Sequence, residues 1–366
     1  MSDVQPRVRV PWRTLSMVGS LVVIWIVFSI TTDGTFLVPR NLSLLARQMS
    51  VTSVLAIGMV MVIVAGQIDL SVGAMAGLLG AVSAMVYVNR GWPLSAAFAA
   101  PLLLGAALGF VQGTLVARLR IPPFIVTLGG MLMFQGVLLG VTGGVSTSPT
   151  RDYLFVGQAY VPHYLGWMGA GVLCAGFAAK AARSAGAARW PWIGLMAPAI
   201  GFTALMNAYE GIPVPVLLVL VLAAVFSVLA KHTPFGRHLY AIGGNREAAL
   251  YSGIDVERGI VAVFTSMGLM AGVAGVVLTA RVGSATSDAG RMMELDAIAA
   301  AVIGGTSLLG GQGTVWGALL GALVMASLDN GMSLMNTESF WQPVIKGTIL
   351  VIAVGIDMAT RRARAR

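Results

Sequence analysis

The chain has 366 residues, of which 57% are hydrophobic and only 10% are charged, and its formal net charge is +9. Soluble globular domains carry about 25% charged residues, so the composition excludes a soluble domain, and its hydrophobicity excludes a disordered chain. The basic residues lie in short runs between apolar stretches and form no aromatic-interleaved basic face, so no nucleic-acid partner is expected. An integral membrane protein remains.

Apolar runs that could cross a membrane recur along the whole chain. A crossing helix needs about 20 largely apolar residues. We predict twelve spans, at residues 15–31, 50–66, 72–88, 94–116, 123–141, 164–179, 190–209, 213–230, 259–281, 296–309, 314–330 and 342–358. The first run follows a basic start with Arg7, Arg9 and Arg13. Since no A-x-A-like cleavage site follows it, it is predicted to be a membrane helix rather than a signal peptide.

The distribution of Lys and Arg between the loops predicts the orientation. With the N-terminus inside, 16 basic loop residues fall on the inner side and 6 on the outer side. Cytoplasmic loops carry the excess of positive charge, so both termini are predicted to be cytoplasmic. We expect a cytoplasmic tail at residues 1–14, a single transmembrane domain at 15–358 and a basic cytoplasmic tail at 359–366.

Sequence signatures of bond-making chemistry are missing. The chain contains no G-x-x-x-x-G-K-[ST], no H-E-x-x-H and no G-x-S-x-G. Its three histidines lack metal-binding spacing, and Cys174 is the only cysteine. We therefore expect no catalytic residue and no bound metal. Cys174 lies in an apolar run and is predicted to be an inert core residue.

The acidic residues near the apolar runs lie at the ends of predicted spans. They are Asp69, Glu294, Asp296, Asp329 and Asp357. An ion-coupled carrier usually needs carboxylates deep within its spans, so this placement favours a path for a neutral solute whose driving force comes from elsewhere. Asp69 and Ser71 are predicted to cap the helix that begins near Val72 by accepting its free N–H groups.

The segment at residues 231–258 is long enough to hold structure of its own. Thr233-Pro234 and Gly236 predict a turn. Asn245 is a good N-cap for a short helix that ends at Ser252, with Gly253 as its C-cap. So short a helix is marginal in water unless something packs on it. The residues alone leave two interpretations, a helix that docks into a groove of another protein and an ordinary interfacial helix.

Several stretches of the sequence occur together in one known family. They are Thr233–Arg237, Ala241–Asn245 with Ala248-Ala249 and Ser252–Ile254, Glu294–Ala300, Gly304–Ser307, Gly310–Gly313, Ile68–Gly73, Ile121–Gly129 and Asn330-Gly331 with Gln342 and Lys346-Gly347. On these motifs the chain resembles the permeases of ATP-binding-cassette importers for monosaccharides, the ribose, xylose and galactose group. The resemblance covers residues of about 50–141 and 231–358.

Residues of about 150–212 depart from the shorter ribose-type permeases by adding two predicted spans. This enlarged middle is most similar to xylose-type permeases, which points to a pentose. The resemblance implies an all-α polytopic membrane protein of about ten core transmembrane helices plus a two-helix insertion. It also implies a multi-pass protein of the bacterial cytoplasmic (inner) membrane.

The resemblance further implies partners and residue roles. The partners would be a cytoplasmic ATP-binding-cassette ATPase that uses ATP-Mg, a periplasmic sugar-binding protein, a second copy of the permease and membrane lipid, with no cofactor bound by this chain. The coupling residues would be Gly244, Asn245, Arg246, Glu247, Ala248, Ala249, Ser252 and Gly253. The structural motif residues would be Asp69, Ser71, Gly73, Pro122, Pro123, Glu294 and Asp296.

Polar residues in or near the later spans are candidates for the translocation path. We select Asn330, Gln342 and Lys346. Lys346 could instead pair with Asp329 or Asp357, or extend to the membrane edge. Two alternatives to the sugar importer stay open. One is an ATP-independent facilitator or ion-coupled carrier, and the other is an importer permease for branched-chain amino acids or a signalling furanose.

Overall fold

The computed structural model describes residues 12–184 and 186–365, so Arg7 and Arg9 lie outside the described residues. Within the described part the chain forms sixteen α-helices and two short strands. The helices are α1 Trp12–Thr31, α2 Pro39–Val64, α3 Val72–Val88, α4 Leu94–Ala117, α5 Pro123–Thr142, α6 Arg151–Gln158, α7 His163–Arg183, α8 Trp190–Gly194, α9 Met196–Asn207, α10 Val214–His232, α11 Pro234–Gly244, α12 Arg246–Tyr251, α13 Val256–Val282, α14 Met293–Ile303, α15 Val315–Leu334 and α16 Trp341–Ala365. The strands are β1 Tyr160–Val161 and β2 Ile212–Pro213.

Seven of the described helices are long and apolar enough to span a membrane, namely α2, α4, α5, α7, α10, α13 and α15. Shorter apolar helices occur at Met17–Thr31, Val72–Val88 and Trp341–Ile352. Only helices and closed barrels satisfy every backbone polar group inside a bilayer, so long apolar runs fold as helices there. The predicted class, an all-α polytopic membrane protein, is confirmed.

Two predicted spans differ from the observed helices. The predicted span 296–309 ends at Ile303, because Gly304 and Gly305 follow and Gly305 has a φ of +89°. With eleven residues, α14 is roughly 16 Å long and is shorter than the hydrocarbon core. The predicted span 190–209 is broken into α8 and α9. Pro198 explains this break, since it has no N–H to donate and its ring clashes with the carbonyl of residue 194.

Two helices are longer than predicted. The helix predicted to begin at residue 50 begins at Pro39, whose fixed φ suits the first helical turn. At the other end of the chain, α16 continues to Ala365, through most of the tail predicted at 359–366.

The core is built around α2 and α13, which carry long runs of fully buried residues. Helix α13 packs on α4 along a row of glycines. A Cβ atom at Gly105 would collide with the carbonyl oxygen of Gly268, and one at Gly109 with that of Phe264. Small residues let helix backbones approach closely, which is how TM helices associate without a hydrophobic driving force.

The middle segment, residues 150–212, contacts this core through α6, and its two short strands pair with each other. In α6, Tyr153 is fully buried and donates a hydrogen bond to Ser83 Oγ at 2.9 Å. The strands β1 and β2 pair antiparallel, with Val161 opposite Ile212. Helices α7 and α9 pack on each other and present most of their apolar side chains outward. The segment therefore adds a peripheral layer and leaves the core intact.

Candidate functional site

Helix α11 fills the place where a turn is predicted at Thr233–Gly236, so that prediction is wrong. Thr233 is the N-cap, and its Oγ1 accepts a hydrogen bond from Gly236 N at 3.3 Å. Pro234 occupies the first helical position, where its missing N–H costs nothing. The residues that predict a turn therefore start an amphipathic helix, which buries Leu239 and Ile242.

Helix α12 has the N-cap predicted for it, and its C-terminus differs by one residue. Asn245 Oδ1 accepts from Ala248 N at 2.9 Å, which confirms the N-cap. The helix ends at Tyr251 with Ser252 as its C-cap, one residue earlier than predicted, and Gly253 follows with a φ of +80° and donates to Leu250 O at 3.0 Å. Of the predicted coupling residues, only Ala249 is buried, while Gly244–Ala248, Ser252 and Gly253 are exposed.

Two large apolar side chains stand out on α12. Leu250 and Tyr251 are exposed, and Tyr251 keeps 88% of its maximal accessible surface. They adjoin the exposed pair Arg246 and Glu247. An apolar patch rimmed by polar residues is typical of a surface that binds another protein. Together these four side chains form a small surface, called here the α12 surface.

Just before α12, the end of α11 packs directly on the backbone of two other segments, a contact called here the glycine junction. A Cβ atom at Gly243 would collide with the carbonyl oxygen of Val64, at the end of α2. Gly311 N donates to the same oxygen at 2.9 Å. Tyr240 Oη donates to Gly313 O at 2.7 Å, and burial raises the pKa of Tyr240, so the hydroxyl keeps its proton. The end of α11 is therefore fixed to α2 and to the segment between α14 and α15.

The structural motif residues meet where α3 begins. Asp69 is buried and accepts from Ser71 N at 2.8 Å and from Ser71 Oγ at 2.7 Å. Neither side chain caps the N–H groups of α3, so that prediction is wrong. The reason is that Ser71 Oγ is used by Asp69 and by Gln112, which donates to it at 3.0 Å.

The same junction holds the second acidic motif. Gly73 lies against the carboxylate of Glu294 and the backbone of Gly290, with no room for a Cβ atom. Glu294 is buried, and its Oε2 has no hydrogen-bond partner among the described residues. Pro122 and Pro123 begin α5 nearby. Through Thr127, whose Oγ1 lies 3.5 Å from Ile68 O, α5 reaches the same cluster.

Lys346 lies between two carboxylates. Its Nζ is 3.0 Å from each oxygen of Asp296 and 2.8 Å from Asp329 Oδ1. The contact with Asp329 is an ion pair without hydrogen-bond geometry. The side chain of Lys346 is 22% exposed, that of Asp296 is 14% exposed and that of Asp329 is 20% exposed. Of the alternatives for Lys346, pairing with Asp329 is therefore observed, with Asp296 as a further partner. Asp357 lies in a stretch whose side chains are not described.

A cleft of about 220 Å³ opens beside this ion cluster. Helices α14, α15 and α16 form it with Arg291, Leu295, Asp296, Gln342, Lys346 and Gly347 among its lining residues. Ionisable side chains within a membrane almost always face the protein interior or a water-filled cavity. Two of the three candidate path residues, Gln342 and Lys346, therefore meet at one cleft. This cleft is called the α14–α16 cleft below.

Asn330, the third candidate path residue, lies elsewhere. It is buried and pairs with Asn41 of α2, a partner that the sequence gives no reason to select.

Asp296 enters the cleft from α14 and is 50 residues from Lys346 in sequence. The one signal that could have found this contact is the lone lysine in an apolar run, which requires an acidic partner.

Comparisons with known proteins place this architecture. The chain matches the family described as "Branched-chain amino acid transport system / permease component" over residues 41–354. It is 46% identical over 362 residues to the xylose transport system permease protein of Escherichia coli (strain K12), covering 94% of this chain and 92% of that protein. The corresponding protein of Haemophilus influenzae is 43% identical, over 94% of this chain and 96% of the relative.

A ribose import permease protein of Escherichia coli (strain K12) is 36% identical, over 93% of this chain and 92% of the relative. No solved structure gives a significant match. The chain therefore belongs to this family of transport-system permeases. The resemblance to monosaccharide permeases is confirmed, and these xylose-type relatives share more identical residues with the chain than the ribose-type one does.

Proposed function

We propose that this chain is the membrane permease subunit of an ATP-driven importer that moves a monosaccharide, a pentose such as xylose, by alternating access. The observation that carries the proposal is the α12 surface. It is an exposed, capped helix with two protruding apolar side chains, and it follows α11, which is fixed to the core at Gly243. Such a surface suits a partner that pushes on the permease, and the chain has no P-loop of its own.

The charges of the α14–α16 cleft bear on the class of solute. The ammonium of Lys346 is already shared between Asp296 and Asp329, at 3.0 and 2.8 Å. Lys346 therefore offers no unpaired charge to the carboxylate of an amino acid, whereas a neutral sugar needs none. The xylose and ribose permeases among the relatives favour a sugar as well. The pentose assignment follows the xylose-type relatives.

The assembly that this function requires has three further parts. A cytoplasmic ATPase would dock on the α12 surface and use ATP-Mg, with Gly244–Ala249, Ser252 and Gly253 as the coupling element. A periplasmic sugar-binding protein would deliver the sugar on the opposite side. A second copy of this chain would complete the path, and both termini would lie in the cytoplasm of a bacterial inner-membrane protein.

Site-specific photo-crosslinking in native membranes tests the coupling assignment. A photo-reactive amino acid replaces Tyr251 on α12, and Tyr164, which is exposed at the start of α7, serves as the matched control. We expect position 251 to capture an ATPase with duplicated P-loops, identified by mass spectrometry, and position 164 to capture none. Capture of the ATPase at 164 alone would contradict both the coupling assignment and the orientation.

Uptake of D-xylose into proteoliposomes tests the class of transporter. The chain is reconstituted alone or with the captured ATPase and binding protein, and L-leucine is the comparison solute. We expect D-xylose uptake only with the ATPase and ATP, and no L-leucine uptake. D-xylose exchange by the chain alone without ATP would instead favour the self-sufficient carrier, and L-leucine uptake would favour an amino-acid importer.

A further inference from the structure

The α14–α16 cleft contains hydrogen-bonding groups that the fold does not use. Gln342 is partly buried there, and its side chain forms no hydrogen bond with another described residue. A glutamine amide has two N–H donors and an oxygen acceptor. Buried amides in membrane proteins usually pair with a neighbouring helix, as Asn330 does with Asn41. Gln342 therefore offers its donors and its acceptor to whatever enters the cleft.

Asp296 adds acceptors beside Gln342. Each of its carboxylate oxygens accepts from Lys346 Nζ at 3.0 Å and keeps a further lone pair. Lys346 in contrast has three donors, and its ammonium already contacts two oxygens of Asp296 and one of Asp329. Lys346 consequently fixes the orientation of Asp296 through two of its three N–H donors, and its third donor lies against Asp329.

The size and the remaining lining of the cleft restrict the ligand. A volume of about 220 Å³ is below the ~300–1,000 Å³ that is usual for drug-sized ligands, so it suits one small molecule. Leu295, Ala299, Met325 and Leu350 provide an apolar wall against which C–H groups can pack. A molecule with hydroxyl groups at its edge and C–H groups on its face fits both parts of the cleft.

We propose that the α14–α16 cleft is a monosaccharide subsite of the translocation path, in which Asp296 and Gln342 hydrogen-bond sugar hydroxyls. Lys346 acts as a positioning residue that holds Asp296. The ammonium of Lys346 is paired with two carboxylates, and Arg291 forms an exposed ion pair with Asp288, so we expect the subsite to favour a neutral polyol. This inference rests on the proposed function, because it requires that the chain moves a sugar.

The single cysteine of the chain makes a direct test possible. Cys174→Ser gives a cysteine-free background in which Gln342→Cys places one thiol in the cleft. Thr348→Cys is the matched control, since Thr348 lies on the same helix, is exposed and bonds only to Val344 O of its own helix. The complex of permease, ATPase and binding protein in nanodiscs is treated with a small, membrane-impermeant, water-soluble thiol reagent.

We expect the reagent to label the thiol of the Gln342→Cys variant and saturating D-xylose to slow this labelling, while L-leucine does not. Labelling of the Thr348→Cys variant should be unchanged by either solute. Labelling at position 342 that D-xylose leaves unchanged would overturn the subsite. So would labelling there only by a lipophilic reagent, because the cleft would then face lipid.

Transport kinetics provide a second measurement. Gln342→Leu removes the amide at similar volume and should raise the KM for D-xylose by roughly threefold to tenfold, with a smaller change in the maximal rate. Thr348→Val should change neither. If the Cys174→Ser parent transports D-xylose but the thiol at position 342 is unprotected, the subsite fails and the proposed function stands. If the assembled parent transports no D-xylose, the proposed function fails, and the subsite with it.

Discussion

The side-chain amides of Asn41 and Asn330 exchange two hydrogen bonds between α2 and α15. Asn41 Nδ2 donates to Asn330 Oδ1 at 2.8 Å, and Asn330 Nδ2 donates to Asn41 Oδ1 at 3.0 Å. Asn41 Nδ2 also donates to Phe36 O at 2.8 Å. Both residues are buried. The pair therefore joins two core helices and leaves Asn330 few groups with which to bind a solute.

Replacement of Asn330 by Leu should lower stability rather than sugar affinity. It leaves the amide oxygen of Asn41 without a donor, which we expect to cost about 1–2 kcal/mol. Thermal unfolding in detergent measures the loss. The Asn41→Leu/Asn330→Leu double variant should recover part of it, since neither amide is then unpaired. An Asn330→Leu variant with unchanged stability and a raised KM for D-xylose would instead indicate that Asn330 lines the translocation path.

Gly243→Ala should damage the glycine junction. The new methyl group would meet the backbone of Val64 and lie 2.8 Å from Gly311 N, and backbone cannot move aside as a side chain can. We expect a loss of about 1–3 kcal/mol in stability, the usual cost of overpacking. Gly244→Ala is the matched control, because nothing lies within 4 Å of its Cβ position. Equal thermal stability of the two variants would contradict the close contact seen at Gly243.

Substitutions of the polar and of the apolar residues of the α12 surface should affect ATP-driven transport in different ways. Arg246→Ala/Glu247→Ala removes two exposed charges, so stability should change by less than about 0.5 kcal/mol while ATP-dependent D-xylose uptake falls. Leu250→Ala/Tyr251→Ala should weaken ATPase binding about tenfold or more, since exposed aromatic side chains often dominate interfaces. Co-purification of the ATPase and an uptake assay measure both effects. Full uptake by both double variants would remove the coupling role from α12.

Lys346→Met should be severely destabilising. It leaves Asp296 and Asp329 as two low-exposure carboxylates without a counter-charge, and breaking a buried ion pair in this way costs about 3–5 kcal/mol. Lys346→Met/Asp296→Asn/Asp329→Asn should recover folding because no charge stays unpaired. Size-exclusion profiles and thermal unfolding measure this recovery. If the subsite is correct, the triple variant folds yet binds D-xylose weakly. A normal affinity for D-xylose would show that the ion cluster does not contribute to sugar binding.

Much of the architecture can be predicted from the sequence, because an apolar run in a bilayer has few options other than a helix. The start of α2 shows where this fails. Residues 39–49 contain Asn41 and Arg47, which argue against a membrane helix. Asn41 nevertheless pairs with Asn330, and Arg47 Nη1 donates to Tyr160 Oη at 3.2 Å, so that of the buried polar atoms of these two side chains only Arg47 Nε lacks a partner among the described residues. These partners are more than 100 residues away in sequence, so local composition cannot reveal them.

In the candidate site, too, local features can be predicted from the sequence and tertiary contacts cannot. The caps of α12 depend on neighbours in sequence, and Asn245 acts as predicted, while Gly253 directly follows the C-cap Ser252. The ion cluster depends on a tertiary contact, so a lone lysine predicts that a carboxylate is near without predicting which one. The failed cap at Ser71 has a similar cause, because Gln112 of α4 competes for its hydroxyl.

The glycine junction has a mechanical consequence. Side chains between two segments can absorb a small displacement by changing their χ angles, but Gly243, Gly310 and Gly311 have no such freedom and contact other backbone directly. A shift of α11 should therefore pass to Val64 and to residues 304–314 without being lost in rotamer changes. That segment ends α14 and begins α15, the helices that carry Asp296 and Asp329. Force applied at α12 would thus reach the ion cluster along a stiff route, with the short helix α14 as its last element.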